Sequence, residues 1–476
     1  MSPESRILTT KLKKKGKNNM QCNVIRNGDV LMVDSFMDLK EYLAFMDLKE
    51  YPGSIVTMSS VNTGHNGGGI HKLIVKNSKC SLPIDEIKHC LRNSVLDELK
   101  EIEIITGDER LRAINGMLYS QNARRLYFCP RGMDGTLVIP DGTDTITEGS
   151  CGNCNLSKVI IPDSVKRIDG FAFTRSYALE YVEGCKNIKK VGDYAFAYCK
   201  QLKKFPFGEF VKNIGSGAFC DTMLTEIYLP EGLSRVGRQA FNTIWIEDGS
   251  QTLIGPSQMY DIRIPSTLKY IEPYAFANAA NVYTSFVNAA LIKACMRSVY
   301  PCNLQHCHEC KTWRLKIKGK PDVIVPKAIN ASSHAAKIAN KINATFGLIK
   351  NGKLQTDKAD NVVSEAVIPP ELYQYSTGST GLTAALEQCR KYPNGRLKRF
   401  ITQNVSVIFY NLIISPLNNN GEEIMVSLIN DKVFTDTALK HLLKEVEKVE
   451  DTQNLTVLKT YILNSISNCP QNTFRI

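Results

Sequence analysis

Five short runs share one alternation of apolar and polar positions: LSKVIIP (156–162), LEYVEGC (179–185), LKKFPFG (202–208), LTEIYLP (224–230) and MYDIRIP (259–265). A period of two over five or six residues marks a strand with one buried face. Proline closes three of these runs, because it has no N–H with which to extend a hydrogen-bonded ladder. LKEIEI (99–104) reads as an earlier copy. After each run comes a second, shorter apolar pair: VKRI (165–168), IKKV (188–191), VKNI (211–214), LSRV (233–236) and LKYI (268–271). An Ala-Phe pair then follows, ending at Phe173, Phe196, Phe219, Phe241 and Phe276, with Cys151 in the phenylalanine position of ITEGSC. The intervals are 22 or 23 residues, except the last, which is 35.

A fixed period of this length predicts a solenoid. One unit cannot bury its apolar side alone, and stacked neighbours share one continuous core. Each Phe is expected inside the coil, where burial stabilises it by roughly 1.5–3 kcal/mol. Phase also settles Cys199. Its position is taken by Cys154, Ser176, Thr222, Ile244 and Ala279 in the other units, which marks a packing site rather than a nucleophile. By the same logic CGNC (151–154) is structural.

The stretch AINGMLYSQNARRLYFCPRGMDGTLVIPDGTDTI (113–146) and the I-x-x-x-A-F units after it resemble the BspA-type leucine-rich repeat family over about 95–290. The resemblance implies a parallel, leucine-rich-repeat-like solenoid, β-rich with short helical or irregular returns. It also implies a role in binding other proteins or surfaces. The expected organisation is a basic disordered tail (1–20), an N-terminal α/β or capping region (21–94) and the solenoid (95–295). A Cys-rich, basic cap or linker (296–353) and a C-terminal α/β or mostly helical domain (354–476) complete it.

Alternation places Lys158, Tyr181, Lys204, Glu226 and Asp261 in one outward row. The next row holds Val138, Ile160, Glu183, Pro206, Tyr228 and Arg263. Tyrosine and arginine among apolar neighbours suit a protein-binding surface. The candidate partner surface is therefore Lys158, Tyr181, Lys204, Glu226, Tyr228 and Arg263. The shorter segments add a basic stripe: Lys166, Lys189, Lys212 and Lys269 at one phase, Arg167, Lys190 and Arg235 at the next. This stripe either receives an acidic partner or phosphates, or keeps an exposed edge soluble.

Charge sharpens the picture at two places. Residues 1–20 carry six Lys and Arg against Glu4, and 311–353 carry ten against Asp322, within a chain of net charge +12. Fifteen cysteines without a secretion signal point to a reducing, intracellular compartment with free thiols or metal ligands. Cys295, Cys302, Cys307 and Cys310 crowd one short segment, and Cys307 and Cys310 have the C-x-x-C spacing that lets two thiolates reach one zinc. Two readings stand there: a zinc knuckle next to a basic run that grips nucleic acid, or an irregular cap with free thiols and no cofactor.

In the flanks, KLIVK (72–76) reads as a strand, and AINASSHAAKIANKINATF (328–346) and DTALKHLLKEVEKVE (436–450) as helices, the latter with Asp436 as a cap. VSVIFYNLIISP (405–416) and EEIMVSLI (422–429) read as buried strands, or as one strand and a helix. No apolar run is long enough to span a bilayer. None of the seven histidines sits in a recognisable catalytic motif. The expectation is a non-catalytic interaction protein. The alternative is a nucleic-acid binder using 295–353.

Overall fold

The computed structural model describes residues 8–9, 24–50, 69–77, 82–106, 110–242, 260–296, 312–329, 333–347, 349–350, 353–354, 370–375, 380–414, 421–449 and 455–466. The chain divides into two compact units, Met1–Leu224 and Thr225–Ile476. Cys302, Cys307, Cys310 and most of the basic segment 1–20 lie outside the described residues.

The first unit opens on a mixed sheet. Leu8–Thr9 pairs antiparallel with Val24–Asn27, which pairs antiparallel with Val30–Val33. Lys72–Asn77 and Glu101–Thr106 then add in parallel. Helix α1 (Phe36–Glu50) and helix α2 (Ile84–Leu91) are the crossovers such parallel pairing requires. Leu31, Val33, Phe36, Leu39, Leu73, Val75, Ile87, Leu91 and Ile102 form its core.

Beyond it, the coils of the repeat feed two parallel ladders. Asp134–Val138, Asn155–Ile161 and Tyr181–Gly184 make the first. Arg125–Phe128, Thr145–Ile146, Arg167–Ile168, Lys190–Val191 and Asn213–Ile214 make the second. Phe173, Phe196 and Phe219 lie buried between the ladders as a stack of near-parallel rings, with centroids 5.0 and 5.4 Å apart.

Two left-handed residues flank each buried ring: Phe171 (φ 54) and Arg175 (φ 58), Tyr194 (φ 53) and Tyr198 (φ 62), Gly217 (φ 59) and Asp221 (φ 56). For a side chain other than glycine this conformation costs about 1–3 kcal/mol. Its effect is to aim alternate amides along the stack. The N–H groups of Phe171, Phe173 and Arg175 donate to the carbonyls of Asp193, Ala195 and Ala197 at 2.8, 2.7 and 2.8 Å. Those of Tyr194, Phe196 and Tyr198 donate to Ser216, Ala218 and Cys220, each at 2.8 Å. Three cross-coil bonds per turn hold the strained backbone. At the turn 148–150, Ser150 O still accepts from Cys129 N at 2.7 Å, but the carbonyls of Glu148 and Gly149 find cations of the α2 segment instead. Lys88 Nζ donates to Glu148 O at 2.6 Å and Arg92 to Gly149 O at 3.0 Å. This contact leaves Lys88 only 5% exposed, and burial pulls its ammonium below the usual lysine range.

In three coils the residue three beyond the ring position closes a second ladder. Ser176 Oγ donates to Cys151 O at 3.0 Å, and Cys199 Sγ to Phe173 O at 3.2 Å. Cys154 Sγ reaches Cys129 O at 3.7 Å. At Cys154, Ser176 and Cys199 a small side chain with a donor meets a carbonyl of the preceding coil, whereas Thr222 Oγ1 donates within its own coil to Phe219 O at 2.9 Å. Burial pushes the thiols of Cys185, Cys199 and Cys220 well above the ordinary range. The unfolded chain releases these protons near the usual thiol value of about 8.5, whereas the folded chain keeps them. The unfolded state then binds fewer protons, and stability falls as pH rises through that value. Between about pH 7 and pH 9 the three thiols together should remove roughly 2–3 kcal/mol, read as a drop in the denaturant midpoint. A midpoint independent of pH over that range contradicts their burial as protonated thiols.

In the second unit Glu226–Tyr228, Tyr260–Arg263, Ala279–Tyr283 and Thr312–Lys316 pair in parallel, and Arg235–Val236 pairs with Tyr270–Ile271. Helix α3 (Ala289–Cys295), capped by Asn288, takes the place of a further turn. Its carbonyls at Lys293 and Ala294 accept the N–H groups of Tyr274 and Phe276 at 3.1 and 2.9 Å. The last carbonyls of a helix have no partner of their own, so they fit this task. Val323–Pro326 then pairs antiparallel with Thr312–Lys316 and ends the ladder. Helix α4 (His334–Thr345) anchors on Val287 O through Asn343 Nδ2 at 2.8 Å. Gln388 of helix α5 (Thr380–Lys391) is buried against the edge strand, accepting from Ile324 N at 2.7 Å and donating to Asp322 O at 3.2 Å. The edge is thus covered by a side-chain amide and by Pro326. Helices α6 (Gly395–Gln403), α7 (Val405–Phe409), α8 (Gly421–Asn430), α9 (Asp436–Val449) and α10 (Thr456–Ser465) complete a helical C-terminal region. No described helix is long and apolar enough to cross a membrane.

Several expectations are corrected. LKEIEI forms a strand, but it pairs with Lys72–Asn77 in the N-terminal sheet rather than in the stack. LKKFPFG forms no strand: Pro206 lacks a donor, and Phe205 is turned inward against Phe196 and Phe219. The described part of VSVIFYNLIISP, 405–414, and EEIMVSLI are helical. Val405, Ile408, Phe409 and Leu412 are buried at the spacing of one helix face, and this period outweighs the β-branched composition. Thr435 rather than Asp436 caps α9, its Oγ1 accepting from Ala438 N at 3.2 Å.

Candidate interaction surface

The strand registers decide which side chains share a row. In the first unit Thr136, Lys158 and Tyr181 are aligned, as are Val138, Ile160 and Glu183. Between them Leu137, Val159 and Val182 point into the core. Tyr181 is 60% exposed and Val138 53%. Lys158 Nζ lies 2.7 Å from Glu183, so these charges neutralise one another across adjacent strands. Lys204 is exposed but lies on the stretch without a strand.

In the second unit the aligned rows are Glu226, Asp261, Asn281, Arg314 and Tyr228, Arg263, Tyr283, Lys316. Ile227, Ile262, Val282 and Leu315 are the buried positions between them. Arg263 lies over two rings, 5.3 Å from the centroid of Tyr228 and 4.5 Å from that of Tyr283. Lys316 lies 5.7 Å from the Tyr283 centroid. The row is an alternating tyrosine–cation ladder across four strands, with Tyr228 56% exposed at its end. Asn281 Nδ2 donates to Asp261 Oδ1 at 2.7 Å. Arg314 pairs with Glu387 at 2.6 Å and Lys316 with Asp322 at 3.0 Å. Burial alone would raise the Asp322 carboxyl, but hydrogen bonds from Lys391 and Lys316 hold it below its usual value.

The basic stripe divides. Lys166, Lys189 and Lys212 are exposed and stacked through their backbones, Lys189 N donating to Lys166 O and Lys212 N to Lys189 O at 2.8 and 2.9 Å. Beside them Arg167 and Lys190 are in register, and Arg167 pairs with Asp169 at 2.8 Å. In the second unit Arg235 pairs with Glu272 at 2.5 Å, and Lys269 bonds through its backbone to Ser234, which stands at the lysine phase. Cys295 is buried in α3, and burial pushes its thiol well up against an opposing effect of Lys327. Among the described residues no group of three or more His, Cys, Asp or Glu could hold a metal.

Sequence reasoning missed the outer ridge of the first unit's turns. Phe171 and Tyr194, the left-handed residues two before each buried ring, stack outside the coil at 5.3 Å. Arg175 lies over Tyr198 at 5.9 Å and Lys200 over Tyr177 at 5.8 Å. The recurrence of Phe171, Tyr194 and Tyr274 at one phase was the available signal.

Residues 134–245 and 250–313 match the family model described as BspA type leucine rich repeat region, in six copies. Solved structures also resemble the chain. A leucine-rich repeat protein from Eubacterium ventriosum is 20% identical, with 48% of this chain and 55% of that one covered and a TM-score of 0.32. A leucine rich cell surface protein from Faecalibacterium prausnitzii is 23% identical, covering 41% and 40%, with a TM-score of 0.26. A leucine-rich repeat protein from Bacteroides ovatus is 13% identical, covering 60% and 70%, with a TM-score of 0.27. The chain spans about two fifths of the length of the Faecalibacterium protein. No curated protein matches the sequence.

Proposed function

We propose that this protein, whose repeats are of the BspA leucine-rich type, is a non-catalytic scaffold that binds a partner protein through the outward rows of its parallel ladders. One observation carries the reading. Tyr181, Tyr228 and Arg263, residue types that dominate interface energetics, stand exposed on strands whose alternate positions are buried. Their backbone is already ordered, so association loses little conformational entropy there. The nucleic-acid alternative draws on 295–353. Within that segment Arg314 and Lys316 are committed to Glu387 and Asp322, which favours the protein partner. Burial of all nine described cysteines as free thiols supports a reducing compartment.

Photo-crosslinking tests this reading. A benzophenone amino acid is placed at Tyr181, Tyr228 or the exposed Tyr410 of the helical region. In extract of the native source, a saturable protein adduct is expected from Tyr181 or Tyr228 and not from Tyr410. Adducts from Tyr410 alone, or equally from all three, assign binding to something other than the rows.

A further inference from the structure

The geometry points to a docking site at Glu226, Asp261 and Arg263 for a partner segment in extended conformation that presents one basic and one acidic side chain two residues apart. This rests on the protein-binding reading and specifies the partner's chemistry.

The argument starts from charge balance on the two outward faces. In the first unit the row charges Lys158 and Glu183 satisfy each other. In the second unit the cations at the far end of both rows are also satisfied, Arg314 by Glu387 and Lys316 by Asp322. Three charges are left. Among the described residues no cation lies within ion-pair distance of Glu226 or Asp261, and no carboxylate lies within that distance of Arg263. Glu226 and Asp261 are aligned on neighbouring strands, so two like charges face each other, an arrangement unfavourable by itself and relieved by an incoming cation.

Arg263 is prepared for an anion. Its guanidinium is held between the rings of Tyr228 and Tyr283. A ring beside a guanidinium does not use up its N–H donors, and these can bind a carboxylate with two parallel hydrogen bonds. The rings also fix the side chain, so little rotamer entropy remains to be lost.

Spacing supplies the selectivity. Asp261 and Arg263 lie on one strand and one face, two residues apart, which is about 6.6–6.8 Å. An extended partner segment has the same repeat on each of its faces. Basic and acidic side chains at i and i+2 therefore meet the carboxylate pair and the guanidinium together. A helical segment brings i and i+3 or i+4 to one face and does not match.

The test pans a random octapeptide library, displayed on phage, against the full-length protein and two variants. Wild type should enrich peptides with one basic and one acidic residue two apart. Arg263→Glu should enrich two basic residues at that spacing, and should bind the wild-type peptides roughly tenfold or more weakly. The conservative pair Glu226→Gln with Asp261→Asn, which retains an acceptor for Asn281, should lose the basic requirement and keep the acidic one. Matching thermal transitions establish that each variant folds. Enriched peptides without the charge pair, peptides unchanged by these variants, or no enrichment overturn the proposal. If enriched peptides instead lose binding on Tyr181→Ser, this site falls while the protein-binding reading stands.

Discussion

Phe196→Ala should lower the unfolding free energy by about 3–5 kcal/mol, the range for removing a large buried aromatic side chain. The upper part of that range is expected, because Phe196 is central in its stack. Phe173 lies 5.0 Å from it on one side and Phe219 5.4 Å on the other, with interplanar angles of 10° and 4°. Phe205 meets its edge at 5.0 Å and 62°. The ring leaves a cavity walled by three other aromatic groups, and the strands on both sides prevent collapse into it. Phe241→Ala in the second unit should cost less, since its near-parallel neighbour Phe276 is 6.0 Å away and tilted by 29°. Denaturant titration of both variants checks the order. Equal losses would mean that the ring stack contributes nothing beyond the burial of each ring.

Gly184→Ala should be comparably damaging, for a different reason. Gly184 has φ +89, and an added Cβ would lie 1.8 Å from Ile161 O. Ile161 is its register partner on the neighbouring strand, so the clash is with backbone and no rotamer relieves it. Left-handed strain of about 1–3 kcal/mol adds to about 1–3 kcal/mol of overpacking. Gly142→Ala separates these parts. It has φ +88, and a Cβ added there would meet nothing within 4 Å, so this variant carries the strain alone. The difference between the two midpoints reads the backbone clash, and no difference would mean that the ladders can separate at Gly184 without loss.

Much of the repeat was legible beforehand because its causes are local. A buried side chain every second residue and a ring every 22 or 23 residues are periodicities of the sequence itself, and the observed registers align Lys158 with Tyr181 and Tyr228 with Arg263 as the phase requires. Where a single residue breaks the local rule, the reading failed. Pro206 removed a strand that the alternation of LKKFPFG suggested. The β-branched residues of 405–414 suggested strands, although the helical spacing of Val405, Ile408, Phe409 and Leu412 was present.

Residue spacing along one coil sets the repeat, its buried ring column and the alternation of outward and buried positions on the strands that form. Contacts between distant segments set where the carbonyls of Glu148 and Gly149 find Lys88 and Arg92 in one unit, and where the amides of Tyr274 and Phe276 find the carbonyls of α3 in the other. They also decide which outward charges are neutralised. Arg314 and Glu387 meet across 73 residues of chain, and Lys158 and Glu183 across one coil. Charge compensation depends on separations of a few ångströms between segments distant in sequence, and no periodicity along the chain encodes those separations.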